Sequence, residues 1–524
     1  MRSGERVTAL WRACKGAARR VAWASIALSV TGCLVNPVTG ERELGWVSDA
    51  AAIEIGREQY VPSQQMQGGL YKVDRGLTEY VSRVGQRVAA QSGVALPYEF
   101  VVLNNSVPNA WALPGGKLAV NRGLLTELAN EAELAAVLGH EVVHAAARHG
   151  AQQIERGTLL QVGLLAAAIG ASGSEYAGAV LGAGQLGATL ITQKFGRDAE
   201  TEADYYGTEF MARAGYDPRA AVTLQETFVR LAGEKRQDWL SGLFASHPAS
   251  TERVANNRAR VAQLGVTGEL GKEPYDRAMA YVRSKQEAYE AYDEARKIVG
   301  NDGGGAKALA LLEKAVAAEP KEAIFHGLRG DIRLNQKKYA DAVTHYDRAI
   351  ALDDQFFSYY LGRGLANSRL DRNAAAKRDL ERSVQLLPTA VAYNELGRFA
   401  EEADDLDSAV RYYRTAAQSQ SEVGAAAAAR LVAIDLPRRP GEYIRTEVGV
   451  VEGRPALAVT NLTSMPLSDV VVRVRLEWVD GRIEEGTREV SRLPGSQRVL
   501  VSLPRRDVAL NRGQAVAVAA RIAR

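Results

Sequence analysis

The strongest periodic signal in the chain runs from Glu131 to His149, where Leu134, Ala135, Val137, Leu138, Val142 and Val143 recur without a proline. A helix this apolar is expected to be buried. Asn130, with Glu133 three residues on, reads as its capping box and Gly150 as its stop. Upstream, the pattern predicts a short strand at 43–47, a helix from Ser48 to about Tyr60, and another from about Leu70 to Gln91. A strand at Tyr98–Leu103 follows, and Asn109–Gly116 then turns into Lys117–Asn121 as a hairpin bending at Gly115-Gly116. Residues 158–192 are apolar but broken by Gly163, Gly170, Gly173, Gly178 and Gly182. That leaves no run able to span a bilayer and predicts two packed helices, with a membrane-touching hairpin as the alternative. A further helix spans about Arg197 to Ala214, and Asp217-Pro218 opens the next.

The period changes after residue 275. Gly330, Gly364 and Gly397 recur at steps of 34 and 33, as do Ala342, Ala376 and Ala409, and Tyr346, Leu380 and Tyr413. Small residues at fixed points of such a period fit tetratricopeptide helix pairs across 276–436, with Lys307–Pro320 as a further, partial unit and 301–305 as its turn. Beyond Pro437–Gly441, Val472, Val474 and Leu476 alternate with Arg473 and Arg475, Asp480-Gly481 signals a tight hairpin, and Val499–Leu503 and Ala515–Ile522 read as strands. Residues 443–524 are therefore expected to form a small β-sandwich. The chain is multidomain: an N-terminal segment 1–32, a mainly α domain with a small β-sheet over 33–275, the helical repeats and the β domain.

Charge changes the reading of the N-terminus. Residues 1–32 hold six Arg/Lys against one acid, so the rest of the chain carries about −2 of the net +3. A near-neutral body gives no electrostatic reason to expect nucleic-acid binding. The basic stretch ending at Arg19-Arg20, the apolar run Val21–Val30 and Thr31-Gly32-Cys33 form an export signal with a lipobox-like end. Cys33 is the expected lipidation site, and loss of Cys14 with the signal leaves no disulfide.

The buried helix carries His140-Glu141-Val142-Val143-His144. Residues four apart share a helical face, so both imidazoles can reach one zinc ion, with Glu141 beside them as general base. A catalytic zinc takes a third protein ligand, which Arg197–Asp204 offers. Glu200 and Asp204 share a face there, so Glu200 can bind metal while Asp204 orients a histidine; spacing alone leaves Glu202 open as the ligand. Glu202 and Glu209 otherwise read as surface acids, His149 as structural near the helix end, and His326 and His345 as surface residues of the repeats.

His140–His144 followed by Arg197, Glu200, Ala203 and Asp204 resembles the gluzincin zinc metallopeptidases that include HtpX and the CAAX prenyl proteases. The resemblance covers about residues 36–265. It implies Glu200 as the third ligand of one Zn2+ per chain, and Asn109, Ala110, Trp111 and Ala112 as an edge strand that pairs with substrate backbone. It also implies a catalytic or gating role for His247, in Ser246-His247-Pro248. The repeats resemble those of BepA-like periplasmic members, while the long paired membrane helices of the prenyl proteases are missing.

The expected activity is a metalloendopeptidase anchored by lipid at the periplasmic face of a bacterial envelope, at the outer membrane by the residue after Cys33. It would act on unfolded or misassembled envelope proteins, with an assembly-machinery partner held by the repeats. The rival expectation is an assembly chaperone or scaffold with a silent or gated site.

Overall fold

The computed structural model describes residues 32–157, 194–233, 247–299, 304–504 and 508–523. Almost all of the expected signal segment, the apolar stretch 158–192 and the first part of the turn at 301–305 lie outside the described residues. Cys33 is described only as backbone, in strand β1 (Gly32–Val35). The chain divides between Tyr359 and Tyr360 into two compact units. No helix among the described residues is long and apolar enough to cross a membrane.

In the first unit, β1 pairs antiparallel with β2 (Arg42–Gly45) across a turn in which Asn36 Oδ1 accepts hydrogen bonds from the Val38 and Thr39 amides. Ser48 caps α1 (Asp49–Met66) as expected, and the helix runs past Tyr60. Helix α2 (Arg75–Ala89) starts later than Leu70, because Leu70 bridges to Leu103 and the Tyr71 amide bonds to the Val102 carbonyl. Strands β3 (Glu99–Leu103), β4 (Ala110–Leu113) and β5 (Lys117–Asn121) form one sheet in the order β3-β5-β4. The expected hairpin is β4–β5; Gly115 and Gly116 take φ of 76° and 84°, where a side chain is disfavoured. β5 also pairs parallel with β3, which leaves β4 at the edge.

A short helix α3 (Arg122–Glu127) leads to α4 (Glu131–Ala146). Asn130 Oδ1 accepts from the Glu133 amide, and Glu133 Oε2 accepts from the Ala129 amide, closing the expected capping box one residue outward. The helix stops at Ala146 rather than at Gly150. Arg148 adopts φ +64°, its side chain pairing with Asp49 and the Val47 carbonyl, and helical backbone resumes over 149–157.

Helix α5 (Arg197–Arg213) crosses α4 where two glycines meet. A Cβ on Gly139 would lie 2.8 Å from the Gly207 carbonyl oxygen, and one on Gly207 would lie 2.8 Å from the His140 nitrogen. Helix α6 (Arg219–Gly233) follows Asp217-Pro218, with Asp217 accepting from the Arg219 amide. Ser250 caps α7 (Thr251–Leu264), which ends at left-handed Gly265; α8 (Lys272–Ser284) follows.

Helices α9 (Gln286–Val299) and α10 (Gly304–Ala318) make a complete pair, so the expected partial repeat is the second helix of a full one. In the next pair, α11 (Ala323–Asn335) and α12 (Tyr339–Leu352), Gly330 faces the Tyr346 ring, where a Cβ would approach to 2.6 Å. His326, expected at the surface, is 7% exposed beside the Pro320 carbonyl, because its helix packs on both sides.

The second unit begins within α13 (Phe357–Arg369) and continues with α14 (Asn373–Leu386), α15 (Ala390–Glu402), α16 (Leu406–Ala416) and α17 (Glu422–Asp435). Gly397 faces Tyr413 as Gly330 faces Tyr346, so the period read in the sequence is a repeated close approach of helices. Strands β6 (Ile444–Val451), β7 (Arg454–Asn461) and β10 (Arg498–Ser502) form one antiparallel sheet; β8 (Leu467–Trp478), β9 (Ile483–Leu493) and β11 (Leu510–Ile522) form another. Leu457 and Val459 of the first share a core with Val472, Val474 and Leu476 of the second.

Gly207→Ala must push the α5 backbone away from α4. It is expected to destabilise the first unit by about 1–3 kcal/mol, read as a lowered thermal midpoint. An unchanged midpoint would show that the two helices can separate freely.

Candidate metal centre

One turn of α4 separates His140 from His144, so both rings leave the same face. Glycine contact between α4 and α5 brings the first turn of α5, and with it Glu200, against that face. His247 comes from the segment just before α7. Four donors, one each from His140, His144, Glu200 and His247, lie within 4.8 Å of one another. His140 Nε2 stands 3.1 Å from His144 Nε2 and 3.2 Å from His247 Nδ1. Glu200 Oε1 is 2.8 Å from His247 Nδ1 and 3.4 Å from His144 Nε2. A tetrahedron with donors about 2.0–2.1 Å from its centre has edges of about 3.3 Å. The set therefore fits a four-coordinate cation.

Protonation follows from burial and neighbours. Burial holds the His144 ring well below its ordinary pKa despite the nearby Glu200 carboxylate, an acceptor that favours its protonated form, so it keeps a lone pair to offer. Burial opposes ionisation of Glu200, but His247, His140 and His144 outweigh it and hold the carboxyl well below the usual range. Glu141 is pushed up, chiefly by burial, against the pull of His247 and His140. Its Oε2 has no hydrogen-bond partner among the described residues, and His247 Nε2 lies 3.6 Å from Oε1. For His247 the burial effect is outweighed by Glu200 and Glu141, so its pKa is raised; a cation in the set competes with that proton.

Outside the donors, Asp204 Oδ1 meets His140 Nδ1 at 3.0 Å. Arg253 clamps Asp204 through Nε and Nη2, each at 2.7 Å, and reaches Glu200 Oε2 at 3.0 Å. Burial of Asp204 is thereby outweighed, and its pKa is lowered.

Three residues were not foreseen. His149 is buried, with Nδ1 2.9 Å from His144 Nδ1; its place follows from the break at Arg148, which the helical pattern does not reveal. The Phe195 ring stacks on His144 with centroids 3.9 Å apart. Glu202 is half-buried rather than a surface acid, because Asn36 donates to it at 2.9 Å and His149 Nε2 lies 3.5 Å away. Glu209 pairs with Arg213 and Arg260.

Asn109 immediately precedes β4, whose Ala110, Trp111 and Ala112 are buried. Ala110 lines a cavity of about 30 Å³ together with His140, Glu141, Val137, Leu224 and Phe228, so the edge strand reaches the donor set.

Comparison with known proteins agrees with this geometry. Residues 76–261 match the model of peptidase family M48, and residues 330–371 match a TPR repeat. The chain is 41% identical over 181 residues to the mitochondrial metalloendopeptidase OMA1 of Schizosaccharomyces pombe, covering 34% of this chain and 51% of that protein. It is 28% identical over 347 residues to the beta-barrel assembly-enhancing protease of Escherichia coli K12, covering 58% of this chain and 68% of that protein. With metalloprotease YcaL of the same organism it shares 32% over 169 residues, covering 32% of this chain and 63% of YcaL. The chain thus spans about half the length of the yeast relative and about two thirds of the two bacterial ones. His140, Glu141, His144, Glu200, Asp204, His247 and Arg253 all fall within the matched stretch. Residues 76–261 form a metallopeptidase domain of peptidase family M48, followed in the same chain by a tetratricopeptide repeat.

Proposed function

We propose that this chain is a zinc metalloendopeptidase of the bacterial cell envelope that cleaves unfolded or misassembled envelope proteins. The observation that carries the reading is the convergence of His140, His144 and Glu200 beside a buried Glu141 whose Oε2 has no hydrogen-bond partner among the described residues. These three residues would hold the ion. When bound, zinc supplies Lewis-acid activation of water and polarisation of the scissile carbonyl. Glu141 takes the proton of the attacking water and returns it to the leaving amine, a role favoured by its raised pKa. The β4 edge pairs with an extended substrate backbone beside the donor set.

His247 reads as a gate in this arrangement, since its Nδ1 stands in the fourth donor position. The same observation supports the second reading, an assembly chaperone whose protease site stays closed. The repeats are read as the surface that selects partners, consistent with the similarity to a beta-barrel assembly-enhancing protease. We read the two C-terminal sheets, which share one core, as a sandwich. Lipidation of Cys33 would tether the chain to the periplasmic face of the outer membrane, and no nucleic acid takes part.

Purified protein is expected to cleave an unfolded protein, and Glu141→Gln to reduce the rate by about 10²–10⁴-fold with zinc still bound. Retained activity in that variant would remove Glu141 from the mechanism. His247→Ala is expected to raise the rate by freeing the fourth position. A fall in kcat instead would make His247 a stabiliser of the reacting carbonyl.

A further inference from the structure

The two histidines of α4 are oriented in different ways. His140 meets a carboxylate directly, with Asp204 Oδ1 at 3.0 Å from its Nδ1. His144 meets a third imidazole, with His149 Nδ1 at 2.9 Å from its own Nδ1. His149 Nε2 faces Glu202 Oε1 at 3.5 Å. Asn36 Nδ2 donates to that same oxygen at 2.9 Å. His144, His149 and Asn36 are each no more than 3% exposed, and Glu202 between the last two is half-buried. Asn36 itself is fixed by the turn joining β1 to β2: its amide bonds to the Glu41 carbonyl at 2.8 Å, and its Oδ1 closes that turn.

A single proton arrangement satisfies this line. His144 offers Nε2 to the donor set, so its proton sits on Nδ1 and is donated to His149. His149 then accepts at Nδ1 and carries its own proton on Nε2, toward the Glu202 carboxylate. The hydrogen bond between the two Nδ1 atoms sets the tautomer of both rings, and Glu202 faces the remaining proton of His149.

We propose that His149 is the positioning residue for His144, and that Glu202 and Asn36 hold it in place, so that the N-terminal hairpin β1–β2 helps to shape the metal site. The inference rests on His144 being a metal ligand. It departs from the direct carboxylate–histidine contact used by His140. It also assigns work to a histidine outside the His-Glu-x-x-His pentapeptide and to a glutamate two residues past Glu200.

The probe is zinc itself, titrated into the metal-free full-length protein against a chromophoric chelator, with the visible spectrum of the cobalt(II)-substituted protein as a second readout. His149→Phe keeps a ring but removes the acceptor. It is expected to weaken zinc binding by about 10–100-fold and to change the cobalt spectrum. His149→Asn places an oxygen where Nδ1 stood and is expected to restore most of the affinity, whereas His149→Gln moves the acceptor outward and is not. Glu202→Ala and Asn36→Ala are expected to give smaller losses in that order. Circular dichroism of the metal-free variants checks folding; if His149→Phe does not fold, the Asn and Gln pair decides the question. Equal zinc affinity and an identical cobalt spectrum in His149→Phe, or no difference between Asn and Gln, would overturn the proposal. Failure of the wild-type protein to bind zinc would instead overturn the ligand assignment on which it rests.

Discussion

Three imidazoles and a carboxylate aimed at one point repel one another through their lone pairs unless a proton or a cation stands between them. In the set of His140, His144, Glu200 and His247, four donor pairs stand 2.8–3.4 Å apart, so each must share a proton or a metal ion. The rest of the first unit can be read as the scaffold needed to hold that arrangement. Gly139 and Gly207 let two helix backbones touch, so Glu200 arrives on α5 at the level of the α4 histidines. Arg253 adds a cation just behind the donors, bridging Asp204 and Glu200, so that two buried carboxylates one turn apart do not repel each other.

The ordering of groups by burial separates their roles. Glu200, surrounded by histidines, stays ionised and suits a ligand. Glu141 has one oxygen without a partner among the described residues and a raised pKa, which suits a group that must take and return a proton. Two carboxylates that flank the same His247 ring thus acquire different chemistry from their neighbours alone.

Much of this was legible in the sequence because it depends on local period. The spacing of His140 and His144, the cap at Asn130, the glycine bend at 115–116 and the repeat of Gly330, Gly364 and Gly397 all follow from helix and turn geometry. What was not legible depends on departures from period. The left-handed Arg148 breaks α4 early and turns His149 back onto His144, and nothing in an Ala-Ala-Arg-His run announces it. Glu202 looked solvated because its partners, Asn36 and His149, are distant in sequence. In the C-terminal sheets, β9 escaped notice because of its eleven residues only Val490 and Leu493 are buried, so no alternation marks it.

The same reasoning applies to how the repeats meet the peptidase domain within the first unit. Glu322, at the start of α11, is buried; its carboxylate accepts from Asn104 at 2.9 Å, just after β3, and from the Tyr289 hydroxyl at 2.6 Å. Arg122, directly after β5, lies over the Tyr289 ring at 3.5 Å and donates to Asn104. Burial pushes the Glu322 carboxyl up in pKa, and these partners only partly offset it. An apolar contact could slide by a few ångströms at little cost. A buried carboxyl that loses its donors costs about 1–3 kcal/mol or more, so this polar joint fixes one register between repeat and sheet. The sheet it fixes is the one whose edge strand β4 supplies Ala110 to the cavity beside His140 and Glu141, which ties the orientation of the first repeats to that strand.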